Sequence, residues 1–136
     1  MIEAVHAPQR RATAQVWTGR VLSGVAILFL LMDAAMKLAV LPVVVETSAQ
    51  LGWSGDLARP LGVVLLVCSL LYAFPRTAVL GAVLLTAYLG GAVAAHVRIG
   101  SPLFSHVLFG VYLGLFVWGG LYLRDAGLRA LLPWRR

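Results

Sequence analysis

The sequence predicts an all-α fold, a polytopic membrane four-helix bundle with both termini cytoplasmic, and three observations carry that prediction. Of 136 residues, 61% are hydrophobic, against about 45–50% apolar content in typical soluble domains, and the mean hydropathy is +0.92. The apolar residues gather into four runs, each long enough at about 1.5 Å rise per residue to cross a hydrocarbon core of about 30 Å. The arginines flank those runs instead of clustering on one soluble face. This pattern excludes a soluble globular domain, a disordered chain and a nucleic-acid module. The net charge of +6 is then explained by topology and anionic headgroups.

The chain reads as one domain, residues 1–136, with spans at about 21–41, 57–74, 77–97 and 103–123. Residues 1–16 are mixed in polarity and expected to fray or lie at the interface. Arg10 and Arg11 precede an apolar run as in a signal peptide, but Val21–Leu41 is too long for an h-region and holds Asp33 and Lys37, so it is read as a retained helix. Pro42 stops it. The connection 42–57 contains VVVETSAQL, a candidate short helix on the outer surface ended by Gly52, with Trp53 at headgroup level. Pro60 sits near the start of the second span and Pro75 closes it. Pro75-Arg76 and Ile99–Pro102 are tight turns.

The third span, Thr77 to Arg98, is expected to be the helix around which the others pack. Small residues recur along it every fourth position at Ala78, Ala82, Thr86, Gly90 and Ala94, with a second ridge at Ala87, Gly91 and Ala95. Such ridges let helices approach closely in lipid, where no hydrophobic force draws them together. Gly90 and Gly91 are accordingly assigned to packing, as are Gly110 and Gly114, the GxxxG of the fourth span. The tail, 124–136, alternates Arg with Leu and reads as an interfacial amphipathic turn. Trp17, Trp53, Trp118 and Trp134 read as interface anchors.

Orientation follows from the basic residues. Arg10, Arg11, Arg20, Arg76, Arg124, Arg129, Arg135 and Arg136 fall on one side of a four-span arrangement, and only Arg59 and Arg98 on the other. The bias places both termini in the cytoplasm. The lone cysteine, Cys68, permits no internal disulfide or C-x-x-C pair and reads as a packing residue.

Depth arithmetic shows which polar side chains can meet. Asp33 lies about 18 Å and Lys37 about 24 Å above the cytoplasmic entry, and Tyr88 about 16 Å, with His96 near the outer rim. On the descending fourth span His106 sits about 6 Å and Tyr112 about 15 Å below that rim. The outer half therefore gathers Asp33, Lys37, Tyr88, His96, His106 and Tyr112, with Glu46 and Arg98 at the mouth. The inner half is expected to hold no comparable set. A bare charge at mid-helix costs about 2.5–3.5 kcal/mol on insertion scales, so Asp33 and Lys37, spaced i, i+4, must face the bundle. They form either a structural pair or one wall of a binding pocket. In the second case Lys37 and His106 donate to an acceptor such as a quinone carbonyl, and an imidazole can relay a proton near neutral pH. His96 and His106 can meet across the short turn, but neither HxxxH nor ExxH occurs, so no metal site is assigned.

Three segments carry a family resemblance: DAAMKL in the first span, RPLGVVLLVCSLLYAFPRTAVLGAVLLTAYLGGAVAAHVR through the second and third, and SHVLFGVYLGLFVWGGLYLRDAGLRALLP to the tail. Over nearly everything after Gly24 the chain resembles the DoxX-like family of short four-helix bacterial membrane proteins, related to the DoxX and DoxD proteins associated with thiosulfate:quinone oxidoreduction. The resemblance implies a multi-pass protein of the bacterial inner membrane with a quinone-linked or redox-accessory role, quinone as a possible cofactor, and a partner oxidoreductase or a second copy as partner beside the bilayer. The alternatives are a scaffold or assembly factor for a partner membrane protein and, third, a small-solute transporter. The family supplies no catalytic motif to carry over.

Overall fold

A computed structural model of the chain describes residues 2–132, with side chains described from residue 12 onward. Arg10, Arg11, Trp134, Arg135 and Arg136, which enter the predicted orientation and anchoring, lie outside the described residues or side chains. The elements are α1 (Ile2–Ala39), α2 (Pro42–Gln50), a 3-10 turn (Gly55–Leu57), α3 (Ala58–Ala73), α4 (Ala78–Arg98), a π-helical turn (Leu103–Val107), α5 (Phe109–Arg124) and α6 (Ala126–Leu131). Four segments are long and apolar enough to cross a membrane: Ala12–Ala39, Gly55–Ala73, Ala78–Arg98 and Leu103–Arg124.

The largest departure from expectation is α1. Residues 1–16 were expected to fray or lie at the interface, yet the helix runs from Ile2 without a break. Extending an existing helix adds one hydrogen bond per residue fixed and needs no new nucleus. Its far end stops where predicted, before Pro42, and the geometry is specific. Val40 adopts φ 52°, its N–H donates to the Lys37 carbonyl at 3.2 Å, and the Leu41 N–H donates to Met36 at 3.2 Å. That is a Schellman cap. The same pair of bonds ends α2 at Gly52 and α4 at Gly100, where glycine carries the left-handed conformation without penalty. At α1 a β-branched valine carries it.

α1 packs on α3 and α5, and α4 packs on the same two helices, so α1 and α4 stand diagonally in an up-down-up-down bundle. The third span is thus one of four staves and not the hub. The start of α1, α6 and the α3–α4 turn lie at one end, here called basal; α2, Trp53 and the α4–α5 turn lie at the distal end. The core joins Ala26, Leu30 and Ala34 of α1 to Leu65 and Tyr72 of α3, Ala82 and Leu85 of α4, and Val117 and Leu121 of α5.

Glycine permits the closest approaches at Gly81 and at Gly120 of the Gly119-Gly120 pair that follows the GxxxG in the fourth span. A Cβ on Gly81 would lie 2.2 Å from the Tyr72 backbone nitrogen, and one on Gly120 would lie 2.8 Å from the Ser23 nitrogen and 3.0 Å from the Gly19 carbonyl oxygen. Of the four assigned glycines only Gly110 is pressed, with Val93 at 2.8 Å and the Leu89 carbonyl at 3.1 Å. Gly90, Gly91 and Gly114 would meet nothing within 4 Å. The ridge signal marks faces where approach is permitted, and within the chain those three faces are open. Trp118, read as an interface anchor, instead donates its indole N–H to Thr86 Oγ1 at 2.7 Å and ties α5 to α4. Trp17 is 59% exposed with the Arg20 guanidinium over its ring at 5.3 Å.

Candidate functional site

The distal half encloses a cavity of about 470 Å³, within the span of about 300–1,000 Å³ usual for small-molecule sites. α1 supplies Asp33 and Lys37, α4 supplies Tyr88 and His96, and the π-helical turn supplies His106; all five line the same space. The rest of the wall is apolar, including Phe29, Leu89, Val93 and Phe109. α2 crosses the distal end and adds Val44, Thr47 and Ser48, with Trp53 beyond it.

The charges are paired and face inward. Lys37 Nζ donates to Asp33 Oδ1 at 2.5 Å, one helical turn apart, and the two side chains keep 20% and 32% of their exposure. One acid and one amine leave the wall with no net formal charge. An ammonium has three N–H donors, and the carboxylate takes one of them. Tyr88 sits on the same wall, half-buried, and its hydroxyl makes no hydrogen bond to protein among the described residues.

The two imidazoles stand at the distal rim in edge contact, ring centroids 5.7 Å apart. His96 Nδ1 pairs with Ser101 Oγ at 3.0 Å and His106 Nδ1 with Ser105 Oγ at 2.7 Å. Each ring is held through one nitrogen, leaving Nε2 for another partner. Pro102 explains the local backbone. It offers no N–H of its own, and its carbonyl accepts from both His106 and Val107 at 3.1 Å. The widened turn moves His106 off the regular helix that depth arithmetic assumed; such turns recur at functional sites.

Not every predicted residue arrives. Tyr112 leaves the cavity: its hydroxyl donates to the Phe104 carbonyl at 3.1 Å and the residue is 40% exposed. Depth along the helix does not decide direction, and here the helix turns that side chain outward. Glu46 is exposed on α2 and does not line the cavity. Arg98 clamps instead of guarding a mouth, donating from Nη2 to the Leu51 carbonyl at 2.5 Å and so tying the end of α2 to the end of α4.

The basal half corrects the expectation that it lacks a polar set. Tyr72, fully buried, donates its hydroxyl to the Val117 carbonyl at 2.6 Å. With that proton committed, Ser23 Oγ donates to Tyr72 at 2.8 Å and accepts from Arg124 Nε at 3.0 Å. The Arg124 guanidinium also lies over the Tyr72 ring at 5.3 Å. Of these residues the sequence singles out only Arg124, as a topology signal. Only their depth near one end of three helices could have suggested a set.

A family model described as the DoxX-like family matches residues 21–120, which includes every residue of the cavity wall. No curated protein and no solved structure matches the chain.

Proposed function

The chain belongs to the DoxX-like family, and from that membership and the distal cavity we propose a quinone-linked or redox-accessory membrane subunit that holds a quinone ring beside Lys37. In this reading the arginine-rich basal end faces the cytoplasm, the membrane is the bacterial inner membrane, and the cavity opens to the outer half. The observation that supports it most is convergence: donors from α1, α4 and the π-helical turn line one apolar-walled space.

The donor set suits such a ring. Lys37 keeps two N–H groups beyond Asp33 for a carbonyl oxygen, Tyr88 offers an unengaged hydroxyl, and the imidazole Nε2 atoms can hold or pass a proton at the rim. Asp33 keeps the amine in place and balances its charge. A quinone supplies the capacity to carry two electrons with two protons; a partner oxidoreductase is the other party. The test is titration of the purified chain with a soluble benzoquinone, read by quenching of tryptophan fluorescence, since Trp53 lines the cavity. Saturable quenching is expected in wild type, weakened at least about tenfold in Lys37→Met. Wild type without saturable quenching ends this reading.

One observation favours a second reading, a scaffold for a partner membrane protein. Gly90 and Gly114 present helix faces that meet nothing among the described residues, as docking another helix requires. There Gly90→Leu or Gly114→Leu abolishes complex formation and Lys37→Met leaves it intact.

A further inference from the structure

α3 and α4 are joined at the basal end, and toward the distal end each is pressed against a different neighbour. Near the α3–α4 turn they touch backbone to backbone, Gly81 against Tyr72. Farther up, α3 leans on α1, where a Cβ on Gly62 would lie 3.0 Å from Lys37 Cβ and 3.1 Å from the Leu38 nitrogen. α4 leans the other way, on α5, through Gly110 and the imidazole pair. The other seams are closed at this height, the α1–α5 seam by Phe29 against Phe109 with ring centroids 5.2 Å apart. α3 contributes Leu61 alone to the cavity wall.

The strip of α4 on the side away from α5 here is Ala87, Gly91 and Ala95, the second small-residue ridge. All three line the cavity, Ala87 and Gly91 are exposed, and a Cβ on Gly91 would meet nothing within 4 Å. Gly81, Tyr88 and Ala95, seven residues apart, share one flank of the helix; at Gly81 that flank is filled by α3, and at Ala95 it is cavity. Residues that usually bring helices together here keep a channel clear.

Resting on the quinone reading above, we infer that the ligand is an uncharged, tailed lipophile. Its polar ring lies against Lys37, Tyr88 and the imidazoles, and its tail leaves over Ala87, Gly91 and Ala95 through the gap between the distal ends of α3 and α4 into the adjacent leaflet. Two features argue for it. The wall's formal charges cancel, Asp33 against Lys37, and neither Arg59 nor Arg98 lines the cavity, so an anionic headgroup inside it has no unpaired cation to meet. A space of about 470 Å³ accepts a ring and the first part of a chain but not a long alkyl or polyprenyl tail, and the roof made by α2 leaves a lateral exit.

The experiment compares a decyl-substituted benzoquinone with its tail-less parent ring on the full chain in lipid nanodiscs, again by tryptophan quenching. Gly91→Leu, or Ala87→Leu as the second variant, is expected to weaken the decyl compound at least about tenfold and the tail-less ring by no more than about twofold. Gly90→Leu, one residue away but off the cavity wall, leaves both unchanged. If the strip variants bind the decyl compound as wild type does, or lose both probes alike, the tail does not run there, and the quinone reading stands on the wild-type binding. If wild type binds neither probe, both readings fall together.

Discussion

The two halves of the bundle use the same residue types to opposite ends. In the basal half three glycines are lost in contact: Gly19, Gly81 and Gly120 each face backbone atoms of another helix at distances no Cβ could share. In the distal half Gly62 and Gly110 are pressed in the same way, but Gly91 borders empty space. Tyrosine divides the same way. Tyr72 is fully buried with its hydroxyl bonded to Val117 and Ser23, whereas Tyr88 lines the cavity with its hydroxyl unengaged. The basal half is therefore the rigid clamp, its polar groups mutually satisfied, and the distal half retains donors with no protein partner. Stability and function are separated along one axis, as expected where a site must keep unmet hydrogen-bonding capacity that a core cannot tolerate.

That contrast can be broken at matched positions. The largest effect is expected for Gly81→Ala, whose new methyl would overlap the Tyr72 backbone; overpacking of this kind costs about 1–3 kcal/mol or more, read as a lowered thermal midpoint in detergent. Gly91→Ala should lose nothing and can gain about 0.5–1 kcal/mol from helix propensity. Equal losses at the two sites would erase the distinction between clamp and cavity.

Next comes the tyrosine pair. Tyr72→Phe leaves a buried carbonyl and hydroxyl short of partners and should cost about 1–3 kcal/mol. Tyr88→Phe should stay within about 0.5 kcal/mol of wild type in the same melt while weakening benzoquinone binding. The smallest effect sharpens the comparison at the distal rim. Val40 holds a left-handed conformation that costs a non-glycine residue about 1–2 kcal/mol, in a cap whose counterparts are Gly52 and Gly100. After the greater chain entropy of glycine is subtracted, Val40→Gly should raise the midpoint by the equivalent of up to about 1 kcal/mol. Strain retained beside Lys37 fits the pattern of local strain near working sites.

Much of the architecture was legible along the chain because the bilayer imposes length and apolarity on each span separately. Three of the four spans begin and end within a few residues of the predicted limits. The first did not, since nothing between Ala12 and Val21 halts a helix once formed. At the site, depth groups Asp33, Lys37, Tyr88, His96 and His106, and all five line one cavity. Tyr112 shared their level and not their direction. Depth is one coordinate, and rotation about the helix axis is another that sequence spacing relates only within a single helix.

The chain's own order of residues determined how many times it crosses, where its charges sit in depth, and which faces are smooth enough for contact, because each of these is a property of one segment in one solvent. What the folded bundle decided was the use made of those faces: that Gly120 is pressed against Ser23 and Gly91 is left open, that Ser23, Tyr72 and Arg124 join into one hydrogen-bonded chain, and that α2 roofs the cavity. Those outcomes depend on the separation and rotation of neighbouring helices. Close approach at one end and divergence at the other are settled by packing between segments, which no single span encodes.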